Sequence, residues 1–515
     1  MEQHSKKQLT VMIAFAGDNA LSPSMLYQVN SIKTAGFHCD VNVVVHFDPS
    51  VRGVPSRLFE INQDEKKNSK SRYRIGDEMN PFIRPLIRDT VEIDKSVDGS
   101  KAADALEKFL KDCHERYPAE HYMLFLVGHG LVVGQDEFLP DENPESAITL
   151  KRLGNILHTF STEIREADGV LELIGMHSCA MSSIEVAYEL MDTAKYMIAS
   201  EGLSFVGTWP YRQLLQKIFC FIDQGNGQIM NFGELMGELY NLILHNGANF
   251  TFAGYSEDLC LCSLEKQDVE ALTKPIQKLA KALKAGLKSA PAEDQILLAH
   301  LRSQSYFQER YADLYDFCSC LAKGCENSTD NEMVELESAA KAVMNILEPR
   351  ERENSKGPVL QADFVGPETQ YSHGLSIYFP WTRPVADGNS SPLKRYKKYV
   401  FSTHFDTDSW VEFVDDYFTK TMRRARRKGM VPNPKSNGSN EMPVSGGDTA
   451  GAPPGTSPEA LTKVSAADSS GVEDWGAIKN HPSKYLMSKR VQEFFYPDNQ
   501  QRDTDQPMTI SANRL

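Results

Sequence analysis

Two residue types in this chain sit where a nucleophile and its base would be useful. Cys179 ends the run Leu171-Glu-Leu-Ile-Gly-Met-His-Ser-Cys179, and apolar positions at helical spacing follow it at Ile184, Ala187, Tyr188 and Met191. The pattern predicts a strand, a tight turn and a helix, with Cys179 at the carboxyl end of the strand. Ligands of open α/β sheets bind beyond those ends. His129 lies in Gly128-His129-Gly130, directly after the apolar run 121–127, which predicts a second strand end.

A thiolate is a potent nucleophile, and a neighbouring imidazole favours it by pairing with it. Histidine first and cysteine roughly 50 residues later is a spacing known among cysteine peptidases. Gly128 and Gly130 are candidates for backbone N–H donors to an oxyanion, because glycine permits close backbone approach. Each residue alone has a bland alternative. Cysteine is among the most buried residue types, and a histidine beside glycine is usually a turn residue. What favours chemistry is that both fall at consecutive strand ends.

The elements that must position this pair follow from periodicity. Residues 9–16 predict a buried strand, 22–34 a helix and 40–47 a second strand, a βαβ opening that implies a parallel sheet. Residues 51–88 read as an exposed, charged excursion with a hairpin at 56–62 and 71–75. A helix is expected at 102–116 and another at 150–160. Between the histidine and the cysteine, 132–146 is acidic and rich in turn formers, and predicts an exposed, mobile loop. Residues 195–200 predict a strand that leads into the loop 201–208. Beyond 212 the pattern is mainly helical, at 232–244, 268–290 and 331–347, with added strands at 251–255 and 374–379. The expected division is a catalytic domain over 1–220, a mainly helical domain over 221–430, and a disordered linker and tail over 431–515. In the tail, 485–496 regains apolar character and is a candidate docking motif for a regulatory partner or for the catalytic domain.

Composition narrows the function. The chain has 515 residues and a net charge of −15, which argues against a general nucleic-acid or anionic-membrane binder. The basic run at 423–428 is read as the cationic end of a helix. Nine scattered cysteines do not make a disulfide framework. Cys260-Leu-Cys262 and Cys318-Ser-Cys320 lack zinc-motif spacing, so no metal is assigned. No apolar stretch is long enough to span a membrane and no signal peptide is recognised, so the expected location is cytoplasmic.

Several ordered motifs resemble the clostripain family of cysteine peptidases. Tyr117-Pro-Ala-Glu-His-Tyr-Met-Leu-Phe-Leu-Val-Gly-His-Gly130 is similar to the family's histidine motif. Cys179-Ala-Met-Ser-Ser-Ile-Glu-Val-Ala-Tyr-Glu-Leu190 is similar to its cysteine motif "CLMGslEvAYEL". Ser200-Glu201, Trp209-Pro210-Tyr211, Asp313-Leu-Tyr-Asp-Phe317, Gly374-Leu-Ser-Ile-Tyr-Phe-Pro380, Tyr396, Phe401 and Trp410 match further patterns, so the resemblance covers roughly 8–420. It implies a caspase-like three-layer α/β/α sandwich with a mostly parallel sheet. It also implies a bacterial cysteine endopeptidase acting on protein or peptide substrates through the dyad of His129 and Cys179. Substrate-binding positions are implied at His177, Ser200, Glu201 and Trp209. No cofactor is required, although some relatives use calcium, for which the acids of 136–145 are the candidate site.

Two departures matter. The family places aspartate two residues before the cysteine, where it receives a basic P1 side chain; here the residue is His177. Family members often cleave themselves after a basic residue between histidine and cysteine, yet 131–150 contains no Lys or Arg. Ser182, where the family commonly has glycine, and His177 motivate an alternative, a catalytically weak member that acts as a binding scaffold.

Overall fold

Runs that are apolar on both faces need cover on both sides, and parallel sheets obtain it from their crossover helices. In the computed structural model of the chain the runs around 9–16, 41–47, 121–127 and 171–176 form the centre of one sheet. The structure describes residues 6–49, 57–61, 101–130, 137–142, 145–224, 230–307, 310–349, 357–381, 383, 392–404 and 409–427. Its strands are β1 (Lys7–Gly17), β2 (Val41–Pro49), β3 (Arg57–Ile61), β4 (Ala119–Val127), β5 (Phe138–Glu142), β6 (Glu145–Ile148), β7 (Val170–His177), β8 (Tyr196–Ala199), β9 (Glu257–Ser263), β10 (Ser305–Tyr306), β11 (Tyr311–Asp313), β12 (Val359–Val365) and β13 (Ser376–Tyr378).

Eight of them form one sheet in the order β12-β9-β8-β7-β4-β1-β2-β3. The five from β8 to β2 are parallel. β3 closes one side antiparallel to β2, β9 lies antiparallel to β8, and β12 antiparallel to β9. Successive side chains of a strand face opposite sides. Leu9, Val11, Ile13 and Phe15 of β1 therefore join one core with the helices Ser22–Lys33, Tyr211–Gln224 and Phe232–Ala248. Met12 and Ala14 join the other, with Ala102–Arg116, Leu150–Glu166 and Ile184–Glu189. The outcome is the expected α/β/α sandwich.

The second core continues into the C-terminal half, through the helices Thr273–Gly286, Ala290–Arg302, Leu314–Cys325, Asn331–Leu347 and Ser409–Arg427 and the small sheet β10-β11-β13. The carboxylate of Glu185, in the helix after Cys179, accepts the Tyr378 N–H at 2.9 Å and the Tyr396 hydroxyl at 2.6 Å. Strands from both sides of residue 220 share the large sheet.

Some elements differ from expectation. Residues 251–253 form a 3-10 turn, and the added strand lies just beyond, at β9. β9 was hidden because it opens on two acids and buries every side chain, so it shows no alternation. The acidic segment before Cys179 contains the β5–β6 hairpin, since Phe138 and Leu139 are pulled into the core despite the surrounding charge. The helix expected over 268–290 is broken into Lys266–Glu270 and Thr273–Gly286. The second arm of the hairpin at 71–75, the linker and the 485–496 motif lie outside the described residues.

Candidate active site

Strand register brings the histidine and the cysteine together. β4 and β7 are neighbouring parallel strands in which Val127 pairs with His177. Two more residues along each strand lead to His129 and Cys179, so the two leave the sheet level with each other. Paired strands lie about 4.8 Å apart. Gly130 packs directly on the Cys179 peptide: a Cβ there would lie 1.5 Å from the Cys179 carbonyl oxygen and 2.7 Å from its nitrogen. Only glycine fits that approach.

The turn after β7 is strained. Ala180 has φ 57°, a left-handed conformation that costs an L-residue roughly 1–2 kcal/mol. Its N–H is held by the Gly202 carbonyl at 3.0 Å, and the Ser182 N–H by the Ser200 carbonyl at 2.9 Å. The turn that carries Cys179 is thus sewn to the loop after β8. The Ser183 hydroxyl then caps the helix Ile184–Glu189 by accepting the Val186 N–H.

The two glycines beside His129 do different things. The Gly128 N–H donates to the His177 carbonyl at 3.3 Å and prolongs the ladder, so it is already engaged. The Gly130 N–H has no acceptor among the described residues, and the Cys179 N–H meets only its own sulfur. The His129 carbonyl accepts the Leu139 N–H at 3.1 Å, which ties the histidine to the β5–β6 hairpin, and its Nε2 is shielded from solvent.

Cys179 is partly exposed, and its sulfur faces the loop 201–208. The Ser204 N–H donates to Sγ at 3.4 Å, and the Ser204 carbonyl lies 3.6 Å from Sγ. Burial pushes the thiol up to about 11; the Ser204 N–H opposes the shift, and the nearby Glu257 and Asp258 carboxyls add to it. The Ser204 hydroxyl donates to Glu257 Oε1 at 2.8 Å.

The four implied substrate-binding residues all have buried side chains. His177 stacks on Trp209, with centroids 4.7 Å apart and 12° between the planes. Its Nε2 lies 2.7 Å from the Phe205 carbonyl, which can only accept, so Nε2 carries the proton. Nδ1 then accepts the Tyr211 hydroxyl at 3.0 Å. Burial lowers this imidazole to about 3, which keeps it neutral. Glu201 Oε2 accepts the Gly374 N–H at 2.9 Å, and burial followed by the Asp313 and Asp258 charges raises its carboxyl well above the usual range. Ser200 serves through its carbonyl, and Trp209 also meets Phe125 edge-on. The structure thus turns these side chains into the interior, with both ring nitrogens of His177 engaged.

A sequence model of the clostripain family, Peptidase_C11, matches residues 14–417. The chain belongs to the clostripain family. It is therefore a cysteine peptidase, with proteins or peptides as its substrate class. It is 22% identical over 471 residues to clostripain of Hathewaya histolytica, across 80% of this chain and 81% of that protein. Among solved structures it is similar to a secreted C11 cysteine protease of Bacteroides thetaiotaomicron in complex with an irreversible peptide inhibitor, at 16% identity and a TM-score of 0.46, covering 78% of this chain and 99% of that one. An inactive zymogen C11 protease of Parabacteroides distasonis is similar at 15% identity and a TM-score of 0.44, with the same coverage.

The acids named for calcium, which the family resemblance implied for some relatives, fall partly outside the described residues. Among those described, Asp141 is buried, and Glu142 and Glu145 are exposed and opposite each other across the hairpin. The one convergent His/Cys/acid group among the described residues, His38-Cys39-Asp40, precedes β2 and lies at the other end of the sheet. His38 there already uses both ring nitrogens, with Asp223 and with the Asp40 N–H. No helix among the described residues is long and apolar enough to cross a membrane. Sequence reasoning missed Ser204, Glu257 and Asp258. Glu257 and Asp258 open an unassigned strand, and Ser204 lies more than fifty residues before them, so only tertiary packing joins the three.

Proposed function

We propose that this clostripain-family peptidase cuts peptide bonds with Cys179 as nucleophile and His129 as base. The observation that carries this is the level exit of the two residues from paired strands, with Gly130 pressed on the Cys179 peptide. Sγ attacks the scissile carbonyl carbon while its proton passes to the imidazole. The Gly130 and Cys179 N–H groups receive the oxyanion. The C–N bond breaks, the amine leaves with the proton from His129, and a thioester remains. Water, deprotonated by His129, then releases the acid and restores the thiol.

His177 removes the carboxylate that would pair with a basic P1 side chain, and Glu201 is turned inward toward Gly374. The proposed specificity is therefore not for arginine or lysine at P1. The capped thiol favours a second reading, a catalytically silent scaffold. One experiment separates them: turnover of a P1 peptide library by the parent and by Cys179→Ala, with a thiol-reactive peptidyl probe in parallel. Turnover without a basic preference, and labelling lost in Cys179→Ala, are expected. A sharp Arg/Lys preference overturns the specificity, and no labelling under any condition favours the scaffold.

A further inference from the structure

Ser204 meets the nucleophile with both halves of its backbone. Its N–H favours a thiolate, whereas its carbonyl favours a thiol that can donate S–H. Ser204 thus covers the sulfur with both a donor and an acceptor. The Ser204 side chain is fixed by Glu257, which accepts its hydroxyl at 2.8 Å and is only 3% exposed. Glu257 is the first residue of β9, paired with Val365 of β12, so it is anchored in the large sheet. Other ties hold neighbouring parts of the loop. His177 donates to the Phe205 carbonyl, Gln28 to Val206, and Asn246 to Gly207 and Thr208. None of these reaches Ser204.

We infer that Glu257 is a positioning residue for the nucleophile: through Ser204 it holds the 202–208 loop against Cys179 and keeps the sulfur covered until substrate displaces the loop. The inference rests on Cys179 being the nucleophile. The groups that face Glu257 are the Ser204 and Thr208 hydroxyls from the loop, Tyr255 and Asp258 from its own segment, Cys179, and the backbone of the helix Phe232–Ala248 at Gly247. No lysine or arginine pairs with it among the described residues. Burial accordingly pushes its carboxyl up to about 8, against the hydroxyl donors. Above that pH the carboxylate gains charge beside the sulfur and further disfavours a thiolate.

The test is the pH profile of Cys179 alkylation by iodoacetamide in the full-length protein, read peptide by peptide so that the other free cysteines are separated. The parent should label slowly at pH 7.5 and faster toward alkaline pH. Ser204→Ala keeps the backbone and the other loop ties but removes the tether at residue 204; loss of one hydrogen bond of about 1.4 kcal/mol corresponds to labelling about tenfold faster at pH 7.5. Glu257→Gln keeps an acceptor for Ser204 and removes the titration, so its profile should lie acid of the parent's. Profiles of both variants superimposed on the parent overturn the inference. So does a gain shared by the buried Cys260 and Cys262, which marks general loosening. Peptidase activity retained in Cys179→Ala would instead remove the nucleophile assignment, whatever the labelling shows.

Discussion

A methyl group at Gly130 has nowhere to go, because the atoms it meets are the Cys179 backbone itself. At Gly128 a Cβ meets first the tip of Leu139 at 2.6 Å, a side chain that can turn aside. The two glycines should therefore separate in a variant pair. Gly130→Ala displaces both oxyanion donors and should lower kcat by about 10²–10³-fold. Gly128→Ala should cost mainly stability, with kcat within about tenfold of the parent, since its N–H is spent in the ladder. Steady-state kinetics together with thermal unfolding of each variant checks this. Equal losses of kcat would remove Gly130 from the oxyanion site. His177 shows the same contrast between type and place. Its position two residues before the cysteine drew attention to specificity, but its neutral ring, stacked and doubly hydrogen-bonded, holds Phe205 and thereby the loop.

At the scale of elements, the segment between His129 and Cys179 bears on whether the protein processes itself. Lys151 and Arg152 lie in the first turn of the helix Leu150–Glu166, where Thr149 accepts the Arg152 N–H at 3.1 Å. The Arg152 guanidinium also pairs with Glu107 on the helix Ala102–Arg116. A peptidase acts on a segment it can hold extended, and unwinding a capped N-terminal turn costs about 1 kcal/mol for the cap alone. Together with the lack of Lys or Arg over 131–150, this predicts no self-cleavage after a basic residue between His129 and Cys179. N-terminal sequencing of the purified, incubated protein is the check. A new terminus after Lys151 or Arg152 would show that this helix opens and that basic-site processing persists.

Across the whole molecule, buried titratable groups set how stability depends on pH. Burial lowers His177 and His300 to about 3 and His46 to about 4, from 6.5. Below 6.5 the unfolded chain protonates these rings while the folded one does not, so stability falls with falling pH until the folded values are reached. Glu257 and Asp258 act oppositely. Burial raises them to about 8 and about 6, and their contribution, fully present below the unfolded values, is lost as pH rises through the folded ones. Rings and acids therefore oppose one another below pH 6.5, and above it Glu257, joined by Glu201, lowers stability as pH rises. His300 is stacked between Phe379 and Trp381 at 3.8 and 4.3 Å, so a flat ring can replace it. His300→Phe should reduce the acid-side slope by about 1.4 kcal/mol per pH unit between pH 4 and 6. Urea unfolding across pH measures it, and an unchanged slope would mean that this ring is not kept neutral in the fold.

The local pattern of the chain was enough for the core of this protein. Apolar runs at 121–127 and 171–176 with glycine or small residues after them dictated strand ends, and the order of motifs carried the family. Such signals are legible because burial and turn geometry act on neighbours in sequence. The acidic surroundings of Phe138 and Leu139 concealed a hairpin, and β9 gave no periodic sign, because burial from outside the segment overrode its composition. Only the tertiary structure decided which way His177 and Glu201 face, and that Ser204 and Glu257 meet at Cys179. Those contacts join residues dozens of positions apart, where sequence spacing carries no information about distance in space.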